Sequence, residues 1–348
     1  MIIRTAVQED SDSLVQLAAV TPMQGTISVC IQRMPDFFLL LKRKGTPFTI
    51  LAEEDNMIVG CVSVITKKMM IDATPATVQY CCDLKVHPDF RERKVATKLC
   101  YAMHDHLQAS RPDLVFSTVA EGNKKVMPLF NGKSGLKGVT STGKFHILQL
   151  VPRPLRNKPE DIMLSDQLPQ KVLSFYKDYA TTYVMHPIVD EQTFSGCTHM
   201  WMEEAGEPVA AVSLYDASAL KQNVLAGIPW YFKLAVGTLK IGKRLFSTPH
   251  LPSVGESIGM LYVKTFAVRQ RYEPLLHLLI KAASDHAYRS GYSFLSITFH
   301  EEDTLMNGFR KMMHFPFVAI GMACTVDGDL QLLNKLKGKK IYEDFSLI

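Results

Sequence analysis

The chain has no apolar run approaching the ~18 residues that a membrane-crossing helix needs, and only two tryptophans in 348 residues. Its seven cysteines are an odd number without regular spacing. Cys30, Cys61, Cys100, Cys197 and Cys324 stand alone, and Cys81 and Cys82 are adjacent, so that in a strand they point to opposite faces. Neither a disulfide framework nor a zinc site follows from them. His104 and His106 share a helical stretch without a companion at metal-ligand spacing, and no metal is expected. Met1-Ile2-Ile3-Arg4-Thr5 lacks the basic and then apolar segments of a secretory leader. Reduced, buried thiols in a cytoplasmic protein are the expectation. Charge of one sign is also scarce. A net charge of +5 is too mild for a nucleic-acid binder, but it suits an anionic small ligand.

What is present is core material. Hydrophobic residues make up 47% and charged residues 21%, enough for packed domains, and the length fits two of roughly 150–200 residues. Ile2–Ala6 reads as a strand, Glu9 to Ala19 as a helix with acidic caps, and Ile27–Leu41 as a second helix. Strands follow at 48–52, 57–66 and 77–86. A helix over 95–108 carries Val95, Leu99, Ala102, Met103 and Leu107 on one face. A strand at 114–119, a short helix over 123–131 and two strands at 136–140 and 145–151 complete this half. Pro-rich residues 152–166 read as a linker. A second series has a helix over 167–181, a hairpin at 199–203 and 208–215, and a strand at 258–268. It continues with a long helix over 274–289, a strand at 294–299, a helix over 303–312 and a strand at 317–326. The expected fold is α/β, with two mixed-sheet domains at 1–151 and 167–348.

The informative stretch is Leu84-Lys85-Val86-His87-Pro88-Asp89-Phe90-Arg91-Glu92-Arg93-Lys94-Val95-Ala96-Thr97. It leaves a strand, crosses a basic loop and enters a helix. The first amides of a helix lack partners within it and lie at the positive end of its dipole, so they suit a pyrophosphate. This stretch resembles the acetyl-CoA signature of the GNAT superfamily of N-acetyltransferases, Leu-x-Val-x-Pro followed by Arg/Gln-x-x-Gly-x-Gly/Ala. Arg91, Lys94 and Ala96 occupy the three named positions of its second part, with Lys94 where glycine is usual. Asn123, Val126, Phe130, Gly135 and Leu136 resemble the family's second element, in which an Asn region contacts the pantetheine arm and a Tyr protonates the leaving thiolate. Phe130 stands at that Tyr position and has no proton to donate. The tandem arrangement, the phrase 129–135 and the segment from Gly227 to Val254 are similar to the Hookless-type N-acetyltransferases of plants.

The resemblance implies two tandem GNAT-like domains. The first would bind acetyl-CoA or another acyl-CoA through Leu84, Lys85, Val86, Arg91, Glu92, Arg93, Lys94, Val95, Ala96, Thr97, Asn123 and Phe130. It implies transfer of the acyl group to a small-molecule or peptide amine by direct attack, with the oxyanion held by backbone N–H near Leu84 and Val86. Asp83, one residue before the signature, is the candidate base, with a locally paired strand carboxylate as the alternative reading; Tyr80, Glu121 and His146 are further candidates without positional support. A non-catalytic acyl-CoA sensor is the alternative. In the second half, Arg269-Gln270-Arg271-Tyr272-Glu273-Pro274 has no small residue where phosphates would sit, so this half is expected to wall the substrate site. Residues 217–255 hold no acidic residue and interleave lysines with apolar side chains on a helical stripe. That segment reads as an insertion across the domains or as a membrane-surface contact. Lys335, Lys337, Lys339 and Lys340 read as a solvated face.

Overall fold

The computed structural model describes residues 1–22, 28–123, 126, 136, 138–157, 159–227 and 252–348. The first half runs β1 (Ile2–Thr5), α1 (Ser11–Ala19), β2 (Ser28–Gln32), α2 (Phe37–Lys44), β3 (Thr46–Glu54), β4 (Met57–Ile71), β5 (Thr74–Val86), α3 (Val95–Ser110), β6 (Leu114–Ala120) and β7 (Thr140–Leu150). The second runs β8 (Met163–Ser165), α4 (Gln170–Ala180), β9 (Met185–Pro187), β10 (Cys197–Glu204), β11 (Glu207–Asp216), β12 (Gln222–Gly227), β13 (Met260–Val268), α5 (Glu273–Arg289), β14 (Phe294–His300), α6 (Met306–Phe309), β15 (His314–Cys324) and α7 (Leu330–Leu336). The fold is mixed α/β, as expected.

One sheet runs through both halves in the order β1-β3-β4-β5-β6-β15-β7-β14-β13-β11-β10-β8, with β9 attached to β4. Each half repeats the same plan, antiparallel strands followed by a single parallel pair, β5 with β6 and β13 with β14. The two last strands are exchanged. β15 lies between β6 and β7, so the first half is completed by a strand from the second, and β14 pairs with β7 from the first. Helices α1 and α2 pack on one face around Phe37, Leu51, Ile65 and Phe116. Helix α3 packs on the other, against Val59, Val62 and Val64. Alternation along β4 and β5 sends successive side chains to opposite layers. Cys81 accordingly joins the α3 layer and Cys82 the α1/α2 layer, and all seven cysteines are free thiols.

Three expected elements differ. Ile27–Leu41 is not one helix: β2 and α2 are separated at Pro35, and Asp36 caps α2 by accepting the Phe38 amide at 2.8 Å. Pro disfavours helix in the residue before it, and Asp is a strong N-cap, so the local chemistry overrides the apolar spacing. One strand, β7, covers the strand expected at 145–151 but starts at Thr140, so only the last residue of the strand expected at 136–140 belongs to it; β7 passes Gly143 at φ +112°, where a side chain would collide with His300. Of the helix expected over 303–312, only Met306–Phe309 forms. The expected helix over 123–131 and the stripe within 217–255 fall mostly outside the described residues. The described part of the latter contains β12, which pairs with β2 of the first half.

Candidate active site: a split in the sheet and the helix that faces it

β5 and β6 pair only from Val78–Tyr80 to Leu114–Phe116 and then part. The cause lies on the other side of β5. Its register with β4 slips between Cys61 and Ser63, and Asp83 takes φ +53° there. Such a bulge bends the strand and raises its twist. Lys85 and Val86 therefore stay paired with Cys61 and Gly60 of β4, while the opposite edge of Leu84–Val86 faces an opening.

The opening is met by the start of α3. Pro88–Phe90 forms one 3-10 turn, Arg91–Lys94 is exposed, and Glu92 (φ +71°) and Lys94 (φ +59°) are both left-handed. Lys94 is the N-cap: its carbonyl accepts the Lys98 amide at 3.1 Å, but no side chain caps the helix. The amides of Val95, Ala96 and Thr97 thus have no partner within the helix. A left-handed backbone at position 94 explains why glycine suits it, and the loop takes this form with lysine there. Gly60 brings the helix close, since a Cβ on it would sit 2.9 Å from Val95 Cγ1 and 3.0 Å from the Lys85 carbonyl oxygen. Arg93 is drawn back, with its guanidinium 4.8 Å from the Phe90 ring centre and 3.6 Å from Glu54. Arg91 and Lys94 remain exposed beside the amides. An uncapped N-terminus flanked by basic side chains fits a diphosphate. Asn123 is exposed just past β6. Phe130 lies outside the described residues.

Asp83 is not the free carboxylate that a base requires. Arg33 Nη2 donates to both of its oxygens, at 2.9 and 2.8 Å, and both side chains are nearly buried. Arg33 follows β2 and lies 5.3 Å from the Phe37 ring centre. Sequence reading missed it by placing it in a helix. The pair pins the bulge to the α1/α2 layer.

Beyond Asp83, on the same layer, the Tyr80 hydroxyl reaches across the parting strands to Thr118 Oγ1 at 2.5 Å. Lys44 Nζ stands 3.5 Å from the Tyr80 ring centre and Lys67 Nζ 5.3 Å. Both ammonium groups hold Glu343, at 2.9 and 3.1 Å. Burial alone would raise the Glu343 carboxyl, but the two lysines outweigh it and hold it below the usual range. Burial pushes Lys44 down and the Tyr80 phenol well above its ordinary value.

Glu343 belongs to a segment that ties the halves together. Lys264 pairs with Asp344, and Lys221 donates to the carbonyl oxygens of Phe345 and Ile348. Lys340 is not on a solvated face: its ammonium lies 4.1 and 5.0 Å from the Tyr183 and Tyr179 ring centres and 3.1 Å from Asp303. This segment covers a narrow cavity in the second split, between β13 and β14, lined by Lys264, Ser296, Thr298 and His300. The helix facing that split is a poor anion cradle. Glu273 lies in its first turn, Pro274 has no amide to give, and the Tyr272 hydroxyl is bound to Glu204. Among the described residues no three His, Cys, Asp or Glu side chains gather at metal-binding distance, and no helix is long and apolar enough to cross a membrane.

Residues 4–123 match the family model described as an acetyltransferase (GNAT) domain. Nearly the whole chain also shares its fold with solved acyltransferase structures. Saccharomyces cerevisiae N-myristoyltransferase with bound myristoyl-CoA aligns with a TM-score of 0.64 and 10% identity, over 97% of this chain and 88% of that one. A GCN5-related N-acetyltransferase from Anabaena variabilis aligns with a TM-score of 0.53 and 10% identity, over 93% and 73%. A probable N-acyltransferase from Enterococcus faecalis gives 0.51 and 11%, over 95% and 74%. No curated protein sequence matches the chain significantly. At these identities the likeness is one of fold: the chain has a tandem GNAT fold.

Proposed function

We propose that the chain is an acyl-CoA-dependent N-acyltransferase that moves an acetyl or other short acyl group to a primary amine of a small molecule or peptide. The observation that carries this reading is the uncapped N-terminus of α3 facing the split between β5 and β6. In the proposal, the amides of Val95, Ala96 and Thr97 grip the pyrophosphate, with Arg91, Glu92, Arg93 and Lys94 forming the turn around it and Arg91 supplying charge. The free edge of Leu84, Lys85 and Val86 takes the pantetheine arm, near Asn123 and Phe130. Backbone N–H groups of that edge meet the oxyanion as the amine attacks the thioester carbon. No covalent enzyme intermediate is needed. Asp83 serves this site by fixing the bulge with Arg33; as a base it would first have to leave that ion pair.

The ion pair on Asp83, together with Phe130 at the family's Tyr position, favours a second reading, a non-catalytic acyl-CoA sensor built like the Hookless-type proteins it resembles. Two measurements separate the readings. Calorimetry with coenzyme A should detect binding that Arg91→Glu weakens by about tenfold or more, the worth of one charge-assisted contact turned repulsive. Equal affinity in wild type and variant removes the cradle assignment. Thiol release from acetyl-CoA over a panel of amines then separates enzyme from sensor. Binding without release on any amine leaves the sensor.

A further inference from the structure

The GNAT resemblance leaves one role empty, because Phe130 cannot protonate a departing thiolate. The structure holds a hydroxyl pair at the floor of the split. Tyr80 forms the last paired rung of β5 with Phe116 on β6. Its ring leans across the point where the strands part, and its hydroxyl meets Thr118 Oγ1 at 2.5 Å, where either oxygen is able to donate. Tyr80 is buried, whereas Thr118 is half-exposed at the lip. In the function proposed above, a thioester lies along the free edge of Leu84–Val86 with its reacting carbon directed toward this lip.

Resting on the function proposed above, we infer that Tyr80 and Thr118 form a hydroxyl relay that carries the proton from the attacking nitrogen to the leaving sulfur. The balance closes without an outside acid or base. The nitrogen forms its bond to the carbonyl carbon and gives up a proton to the Tyr80 oxygen. Tyr80 passes its own proton to Thr118, and Thr118 passes its proton to sulfur as the C–S bond breaks. Amide and free thiol leave, and both hydroxyls end protonated. Nitrogen and sulfur are bound to the same carbon at that moment, so two hydroxyls in contact with one another suit the span between them. Lys44 and Lys67 flank the ring, 3.5 and 5.3 Å from its centre, with the Glu343 carboxylate paired to both of them. Burial keeps the phenol protonated through the range in which an assay is run.

The test uses the full chain with acetyl-CoA and an amine that it turns over. Tyr80→Phe keeps the ring in the core and removes only the hydroxyl. It should lower kcat about 100-fold, the lower end for a lost proton-transfer group. Its KM for acetyl-CoA and its coenzyme A affinity should stay within about threefold. Thr118→Val should lose as much and Thr118→Ser little. The double variant should lose no more than either single one, because a relay broken twice is still one broken relay. The relay is overturned if Tyr80→Phe keeps kcat within threefold of a working wild type, or if the two losses multiply. A wild type that binds coenzyme A and turns over no amine removes the transferase reading, and the relay with it.

Discussion

Lys94 separates what the backbone contributes at the helix entry from what the side chain contributes. It sits at φ +59°, ψ +20°, a conformation that costs a residue with a Cβ roughly 1–2 kcal/mol. Glycine adopts it freely, but has more freedom to lose on folding, which returns roughly 0.4–1 kcal/mol. The Lys94 side chain is exposed and makes no capping bond, and it places positive charge at the positive end of α3. Lys94→Gly should therefore stabilise the protein by about 1 kcal/mol, visible as a rise of roughly 2 °C in the melting temperature. Lys94→Ala, which keeps the strained backbone, should show little of that gain. If amides hold the diphosphate, coenzyme A affinity by calorimetry should stay within about threefold in Lys94→Gly. A stability loss in the glycine variant would refute the strain argument. A loss of affinity beyond tenfold would show that the lysine side chain, not the backbone, is the grip.

Three further outcomes follow from buried charge. Glu343→Gln leaves Lys44 and Lys67 buried without their counter-ion and should destabilise the protein by about 3–5 kcal/mol in urea unfolding. A neutral effect would mean that the lysines reach water. Asp83→Asn should likewise cost about 3 kcal/mol by stranding Arg33, whereas a base with no structural duty would lose activity alone. The third concerns acid. Burial pushes His199 down to about 4 from 6.5 while it bonds the Ser213 hydroxyl at 2.8 Å. Between those values the unfolded chain binds the extra proton, so stability is full above about 6.5 and falls as pH drops toward 4. Glu343, with its folded carboxyl held below the usual value, loses its contribution at still lower pH. His199→Gln should flatten the first part of the melting-temperature profile and leave the second.

The parts of the fold that local pattern specifies were legible, and those set by distant partners were not. Helix α3 reads directly from Val95, Leu99, Met103 and Leu107, all buried against β3 and β4. The cradle was legible because a strand end, a proline turn and a helix start are neighbours in sequence. Residues 27–41 misled because Ile27, Ile31, Met34, Phe38 and Leu41 keep helical spacing across a break. Pro35-Asp36, a helix breaker followed by an N-cap, was the available signal. Missing that break hid Arg33, and with it the identity of the partner of Asp83. Nothing in the local sequence marks Glu343 and Asp344 as buried. Their burial depends on Lys44, Lys67 and Lys264, which are 80 to 299 positions away, and no periodicity records such a partnership.

Composition and the Pro-rich stretch near 152–166 suggest two domains that could be cut apart, but the exchanged strands argue that the cut would fail. Residues 1–151 alone would lack β15, which pairs with β6 from Val115 to Ala120 and with most of β7. Ala319 and Ala323 of that strand sit in the same core as Phe116 and Phe145. β6 would then present a row of unpaired amides and carbonyls beside apolar surface, and Lys44 and Lys67 would lose Glu343. The fragment should therefore aggregate or lack cooperative unfolding, although it contains every residue of the cradle. Adding residues 152–348 as a separate chain should restore a soluble pair with coenzyme A affinity near that of the intact protein. A fragment 1–151 that is monomeric, unfolds cooperatively and binds coenzyme A would refute this, because β6 and β7 would then have to close on each other without the strand that separates them here.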